Sequence, residues 1–398
     1  MKRALFGSAL TVALAASALA IAAGSDAGAT ENAAPAALSN NWYASAPYLM
    51  PLSNNPPNPA TVMAATGQKA FQLAFILSGG GCSAAWDGTD PVSSDTQVAG
   101  VISGIRAAGG DVSVSVGGYG GTKLGQTCAD TASTAAAYQA VVSKYSLKAI
   151  DFDLEEPEYE DTAAIARELG AAQILQRNNP GIFISVTMPG TSAGTGWFGT
   201  QLIDEAHSLG FTPNNFSIMP FDGGFNGGSS QVSALEALHG LLMSHLGWDS
   251  ATAYSHEGFS GMNGKSDSSE MFYQADFQTV LDYATSHGLG RFTFWSVNRD
   301  RQCTGTTDNG VCSNVPQNDW DFTKFTARFA GATPPQGDPT TTPPVGGSCT
   351  AAAWNSGTAY TGGSVVSYNG HRWTAKWWTQ GDVPGNNGQN VWTDNGSC

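Results

Sequence analysis

"KAIDFDLEEPEYED", residues 148–161, alternates apolar side chains with carboxylates: Ile150, Phe152 and Leu154 share one parity, and Asp151, Asp153 and Glu155 the other. A period of two is that of a β-strand, whose successive side chains point to opposite faces. The three carboxyls therefore project the same way, each about 6.5 Å from the next. Like charges that close repel, and buried acids are costly unless paired or protonated. A row of this kind is retained for its chemistry. Glu156 falls on the apolar parity and stands outside the row.

Outward from this strand, short apolar runs alternate with stretches whose apolar residues recur at helical spacing, the pattern of parallel strands joined by crossover helices. Eight strands are read: "WYASAPYL" near 42, "AFQLAFILS" near 70, "DVSVSVGG" near 111, "LKAIDFDLE" near 147, "GIFISVTMP" near 181, "NFSIMPFD" near 215, "ATAYSH" near 251 and "RFTFWSV" near 291. Between them, "TQVAGVISGIRAAG", "TASTAAAYQAVVSKY", "TAAIARELGAAQILQRN", "QVSALEALHGLLMSHLG" and "FQTVLDYATSHG" carry the helical spacing. Residues 41–330 have the length of a (β/α)8 TIM barrel, so the expected fold class is α/β. In such a barrel the active site lies at the C-terminal ends of the strands, and inward positions alternate with positions facing the helices. Ile150, Phe152 and Leu154 suit the helix side; the acids then climb the interior with Glu155 at the mouth. A purely structural ion network would need inward Arg or Lys, and the strands as read offer almost none.

The chain has 398 residues, enough for one large domain and a small one, and a formal net charge of -15 without a basic block. Nucleic acid and anionic membranes are poor partners for such a surface. Lys2 and Arg3 precede an apolar run from Ala4 to about Ala23, followed by small residues near Ala29. Residues 1–29 read as a secretory signal peptide, with a retained anchor as the alternative. Six cysteines in an exported chain predict disulfides, with fifteen pairings open. Proximity favours Cys303 with Cys312, the extent of the last segment favours Cys349 with Cys398, and Cys82 with Cys128 is left over. No CxxC or HExxH occurs and the His residues are scattered, so neither a metal nor a cofactor is expected.

Residues 332–348, "ATPPQGDPTTTPPVGGS", form a Pro/Thr-rich stretch that cannot build a core and reads as an extended linker. Residues 349–398 beyond it are dense in Trp and Tyr. So many aromatics cannot all be buried in so short a segment; several must face solvent, where they can stack on sugar rings.

The DxDxE row, preceded by "SVGG" one strand earlier, resembles glycoside hydrolase family 18, the chitinases. The family pattern is DGxDxDxE, and this chain carries Lys148 and Ala149 where the leading Asp and Gly usually stand. The resemblance implies that Glu155 protonates the leaving glycosidic oxygen and then acts as base toward water. The nucleophile is then the substrate's own N-acetyl oxygen. Asp153 would orient the acetamido N–H and Asp151 would share a proton with Asp153. "SVSVGGYGG" matches the SxGG element, implying that Ser115 hydrogen-bonds the Asp column while Gly117 and Gly118 shape the turn. "SIMPFDGG" resembles Met-x-Tyr-Asp, with Met219 and Asp222 retained and Phe221 in place of Tyr; Tyr254 is a candidate to supply the missing hydroxyl. "FTFWSVNRDRQC" would place Trp295 beneath the reactive sugar, as in short-barrel bacterial chitinases that lack an inserted domain. The cleft is then shallow and the cutting endo-type.

"AKWWTQGDVPG" is similar to carbohydrate-binding modules of families 5 and 12, a small all-β fold. It implies that Trp354, Trp377 and Trp378 form the binding face, with Tyr360, Tyr368 and Trp392 as candidate core. Both halves imply one substrate. The expectation is a secreted, extracellular, monomeric chitinase that binds chitin and chito-oligosaccharides. An endo-β-N-acetylglucosaminidase acting on glycans and a non-catalytic chitin-binding protein are the alternatives.

Overall fold

A computed structural model describes residues 38–332 and 351–397, apart from 369–370 and 386–390. The proposed signal peptide, most of the linker and the Cys349–Cys398 pair lie outside the described residues.

Eight parallel strands form the framework: β1 (Tyr48–Leu49), β2 (Ala70–Ser78), β3 (Asp111–Gly117), β4 (Ala149–Asp153), β5 (Phe183–Pro189), β6 (Asn215–Met219), β7 (Glu257–Met262) and β8 (Arg291–Trp295). Each pairs in parallel with the next, from β1 through β8. The ring closes by side chains: Thr293 Oγ1 donates to Ala46 O at 2.6 Å, and Asn298 both accepts from Met50 N at 2.9 Å and donates to Met50 O at 3.0 Å. Register sets Ser115 and Ser185 beside Asp151, and Gly117 and Thr187 beside Asp153.

The helices fall where apolar spacing and caps direct them. The helix Thr131–Tyr145 begins with Asp130 accepting from Ser133 N, and Thr162–Asn178 begins with Asp161 accepting from Ala163 and Ala164 N, satisfying first-turn donors that have no partner within the helix. Phe152 faces this layer, edge-on to Tyr138 with ring centroids 5.4 Å apart. Ile150, Phe152 and Leu154 are wholly buried there, each such side chain worth about 1.5–3 kcal/mol. The helix Trp197–Leu209 follows β5 and has no counterpart in the segments read from sequence.

Two strands differ from expectation. In "WYASAPYL" the first residues belong to the helix Asn40–Ala44, and the strand is reduced to Tyr48–Leu49. "ATAYSH" is not a strand but part of the helix Ser250–His256, started by Asp249 accepting from Thr252 N at 2.8 Å. The seventh strand is the next segment, "EGFSGM", whose glycines hide its strand character. Gly258 is required there, because a Cβ would sit 2.0 Å from Ser217 Oγ and 3.0 Å from Arg291 Cβ.

Disulfides join Cys82 to Cys128 and Cys303 to Cys312. Among the described residues no helix is long and apolar enough to cross a membrane, and no cluster of His, Cys, Asp and Glu could hold a metal.

The C-terminal segment is a small β structure. Val365–Tyr368, His371–Ala375 and Trp392–Ser397 form one antiparallel sheet, and Ala359–Tyr360 pairs with Thr379–Gln380. Its core is Val366, Ala375, Val391 and Trp392.

Candidate active site

The acid row sits at the end of β4. Asp151 and Asp153 are buried in the barrel interior, and Glu155, two residues past Asp153, is half-buried at the mouth. The lower acid is saturated. Asp151 Oδ2 accepts from Ser115 Oγ at 2.7 Å, the Tyr48 hydroxyl at 3.0 Å and Gln72 Nε2 at 3.0 Å; Oδ1 accepts from Thr187 Oγ1 and Arg291 Nη1, both at 2.8 Å. Arg291 corrects the expectation that the interior holds almost no cation. It is the first residue of β8, four before Trp295 and so of the same inward parity. Its guanidinium also donates to Thr187 Oγ1 at 2.7 Å and Gln72 Oε1 at 3.0 Å. The ion network expected to be missing therefore exists, but it stops at the first acid.

Asp153 is placed differently. Among the described residues its Oδ1 has no hydrogen-bond partner, while Oδ2 lies 3.3 Å from the Tyr48 hydroxyl. Burial pushes its carboxyl well above the usual range, Glu155 and then Asp151 add to this, and Arg291 and Tyr48 oppose it. No hydrogen bond joins Asp151 to Asp153 directly among the described residues. The Tyr48 hydroxyl lies within reach of both carboxyls, 3.0 Å from Asp151 Oδ2 and 3.3 Å from Asp153 Oδ2.

Glu155 is pushed up to about 7, first by burial and then by Glu156; Lys123 opposes the shift, and Asp222 and Asp267 add to it. A carboxyl with that value is largely protonated in mildly acidic solution, as a general acid must be. Glu156 turns aside and accepts from the Tyr159 hydroxyl at 3.0 Å.

Gly117 and Gly118 carry φ of 101° and 83°, left-handed values that favour glycine. A Cβ on Gly117 would lie 2.0 Å from Asp153 O, and Gly118 N donates to that same oxygen at 2.8 Å, so the glycines let β3 lean against the acid strand. Trp295 is half-buried, stacked on Phe75 at 5.5 Å and edge-on to Tyr48 at 5.7 Å. Met219 is buried at the end of β6, Phe221 is half-buried, and Asp222 is exposed at φ 57°. The Asp222 loop is held by Glu270, which accepts from Asp222, Gly224 and Phe225 N at 2.6–2.7 Å. Tyr254 is not brought to this site. It lies on the helix Ser250–His256 with its ring stacked 3.6 Å from His239, a consequence of the displaced seventh strand.

Sequence reasoning missed Tyr48, Gln72, Thr187, Arg291 and Glu270. Parity counted back from Trp295 points to Arg291. Phe75 had no such signal, since the β2–β3 register shifts between Leu73 and Ile76 and breaks the alternation.

In the C-terminal segment, Trp377 and Trp378 are 48% and 61% exposed. Trp354, expected on the same face, is half-buried, edge-on to Tyr368 at 5.4 Å and packed on the small core. Trp392 is buried, with Tyr360 edge-on to it at 5.4 Å.

The described residues thus comprise an eight-stranded parallel barrel with stacked acids at the mouth of its fourth strand and, later in the chain, a small β segment presenting tryptophans. Residues 353–393 match carbohydrate-binding module family 5/12. The chain is 28% identical over 275 residues to a probable bifunctional chitinase/lysozyme of Escherichia coli, covering 64% of this chain and 30% of that protein. It is 28% identical over 217 residues to endochitinase 11 of Metarhizium anisopliae, covering 50% of this chain and 42% of that one. The chain thus spans less than half the length of either relative. The catalytic domain of a hyperthermophilic chitinase from Pyrococcus furiosus is similar in structure, with 25% identity, a TM-score of 0.65, and coverage of 72% of this chain and 96% of that one. The barrel is thus similar to chitinases, and the C-terminal segment to carbohydrate-binding module family 5/12.

Proposed function

We propose that this protein is a secreted chitinase that hydrolyses β-1,4 bonds between N-acetylglucosamine units, endo-acting and retaining, with the substrate's acetamido oxygen as nucleophile. The observation that carries the reading is the split in the acid row. Asp151 is locked by Arg291, whereas Asp153 and Glu155 have no contacting cation among the described residues and are driven toward their protonated forms. A protonated Asp153 is a poor nucleophile, which favours attack by the sugar's own 2-acetamido group. Glu155 donates its proton to the leaving oxygen as the C1–O bond breaks and the acetamido oxygen bonds to C1, giving an oxazolinium ion. Asp153 accepts the acetamido N–H at Oδ1, which has no hydrogen-bond partner among the described residues, and so holds the acetamido oxygen toward C1. Water then attacks C1 as the bond between C1 and the acetamido oxygen breaks, Glu155 takes the water's proton, and the β-anomer is released with its acetamido group restored. Trp295 offers the apolar floor that a sugar ring stacks upon. The exposed Trp377 and Trp378 support chitin as the polymer bound, and a tethered module raises the local concentration of enzyme on it. The apolar run near the N-terminus supports export.

The test is release of soluble oligomers from colloidal chitin by wild type and Glu155→Gln, with chitin pull-down in parallel and cellulose as the control polymer. Wild type should release oligomers with kcat/KM falling above about pH 7. The variant should bind equally and lose a factor of about 100 or more. Cleavage of glycoprotein glycans but not of chitin would replace the proposal with the endo-β-N-acetylglucosaminidase reading. Binding without hydrolysis in wild type would make the chain a chitin anchor.

A further inference from the structure

Asp222 stands just past β6 with φ 57°, a left-handed backbone that a residue other than glycine keeps only where its surroundings hold it. One carboxylate does the holding. Glu270 Oε2 accepts from Asp222 N at 2.6 Å, and Oε1 accepts from Gly224 N at 2.6 Å and Phe225 N at 2.7 Å. Backbone amides that converge on an anion form a nest, and hydrogen bonds to a charged acceptor are about twice as strong as neutral ones. The grip is returned, since Asp222 Oδ1 accepts from Ser268 N at 2.5 Å. Among the described residues Asp222 Oδ2 accepts no hydrogen bond, so one oxygen of this exposed carboxyl is engaged by the brace and the other stays available.

Glu270 acts from a fixed base. It closes the turn of a hairpin after β7, whose strands Gly264–Lys265 and Met271–Phe272 pair antiparallel. Ser266 N donates to Glu270 O at 2.8 Å, and Glu270 N to Ser266 Oγ at 3.2 Å. At the foot of the hairpin Lys265 N donates to Ser313 O at 2.7 Å, while the buried Arg299 donates from Nη2 to Asn263 O at 2.9 Å and to Lys265 O. The loop it grips, "PFDGGFN" at 220–226, has two glycines and no regular structure of its own. Its ends are anchored, Pro220 O accepting from Gln231 Nε2 at 3.0 Å and Phe225 being buried, and Asp222 lies between them. Phe221 has no hydroxyl, so Asp222 is the charged side chain this loop brings to the mouth.

We propose that Glu270 is a positioning residue for substrate recognition: it fixes the loop after β6 so that Asp222 Oδ2 meets a hydroxyl or amide N–H of the bound N-acetylglucosamine unit. The inference rests on the reading of the barrel as a chitinase. A carboxylate oxygen only accepts, so its position selects which donor of the sugar it can pair with. Without Glu270 the three amides lose their acceptor, and the backbone at Asp222 is free to leave the left-handed region and carry the carboxyl away. A misplacement of about 1 Å is enough to cost a factor of about 100 in rate. Glu270 itself touches no substrate in this scheme and acts only through Asp222.

The experiment is a double-mutant cycle in the full chain: wild type, Glu270→Ala, Asp222→Ala and the two together, with kcat and KM measured on a soluble chromogenic chito-oligosaccharide. Glu270→Ala should lower kcat/KM by about 10- to 100-fold. In the Asp222→Ala background the same change should cost less than about 2-fold, because the residue it aims is already gone. Glu270→Gln, whose Oε1 can still accept from Gly224 N and Phe225 N, should recover part of the loss. A folded Glu270→Ala enzyme within about 2-fold of wild type overturns the proposal, and so does an equal loss in both backgrounds, the sign of a loop that has merely collapsed. Should Glu270→Ala fail to fold, Glu270→Gln goes through the same cycle, and the proposal stands only if it shows a loss that disappears in the Asp222→Ala background. If the wild type cleaves no chito-oligosaccharide, the function proposed above fails, while hydrogen exchange at the Asp222, Gly224 and Phe225 amides still decides the brace: protection left unchanged by the Glu270 variant overturns it.

Discussion

Asp151 and Asp153 differ by two positions and share one face, yet their surroundings give them opposite characters. Asp151 accepts five hydrogen bonds, one of them from the buried Arg291. Asp153 is left with an oxygen that has no partner among the described residues and a carboxyl pushed upward by burial and by its neighbours. Arg291 is thus the residue that divides the row. Removing one member of a buried ion pair leaves the other charge uncompensated and costs about 3–5 kcal/mol. Arg291→Met should lose stability on that scale in urea unfolding, whereas a loss under about 1 kcal/mol would mean that Asp151 does not need its partner.

Among the elements, β7 shows why a strand can be hard to read. Its inward positions are Gly258, Ser260 and Met262, and the glycine leaves the room in which Arg291 and Ser217 lie. Gly258→Ala should therefore destabilise the fold by about 1–3 kcal/mol through overpacking. Gly104, in the helix Gln97–Ala107, is exposed and has open space where a Cβ would go, so Gly104→Ala should stabilise by about 0.5–1 kcal/mol. Thermal unfolding of the pair checks both signs. Equal shifts in one direction would show that the space around Gly258 is not what constrains it. The helix before β7 misleads in the same way: "ATAYSH" reads as a short strand until Asp249 is recognised as its cap. The (β/α)8 plan was legible all the same, because six of the eight strand segments keep their apolar runs.

Over the whole molecule, acids with raised values dominate the linkage between pH and stability. Glu155 and Glu168 are pushed up to about 7, Glu257 to about 9 and Asp300 to about 6, in each case first by burial. A carboxyl whose folded value lies above its unfolded one contributes stability that is full below the unfolded value, near pH 4, and lost as pH rises through the folded value. The helix caps Asp130 and Asp249 act in the opposite sense, since backbone hydrogen bonds lower them and their contribution fades only in acid. With the net charge of -15 adding repulsion at higher pH, the melting temperature should fall steadily from pH 5 to pH 8.5. A flat or rising curve over that range would show that the buried acids are matched by partners in the fold.

The sequence by itself determined the barrel, the inward parity of Asp151, Asp153 and Glu155, and the aromatic segment after the linker. Those depend on period and composition, which are local properties of the chain. The tertiary structure alone decided which acid is paired. Tyr48, Gln72, Thr187 and Arg291 come from four other strands and converge on Asp151 only when the barrel closes. Proton affinity at Glu155 is likewise a property of distant loops, because burial and the field of Lys123, Asp222 and Asp267 exist only once those loops share one mouth.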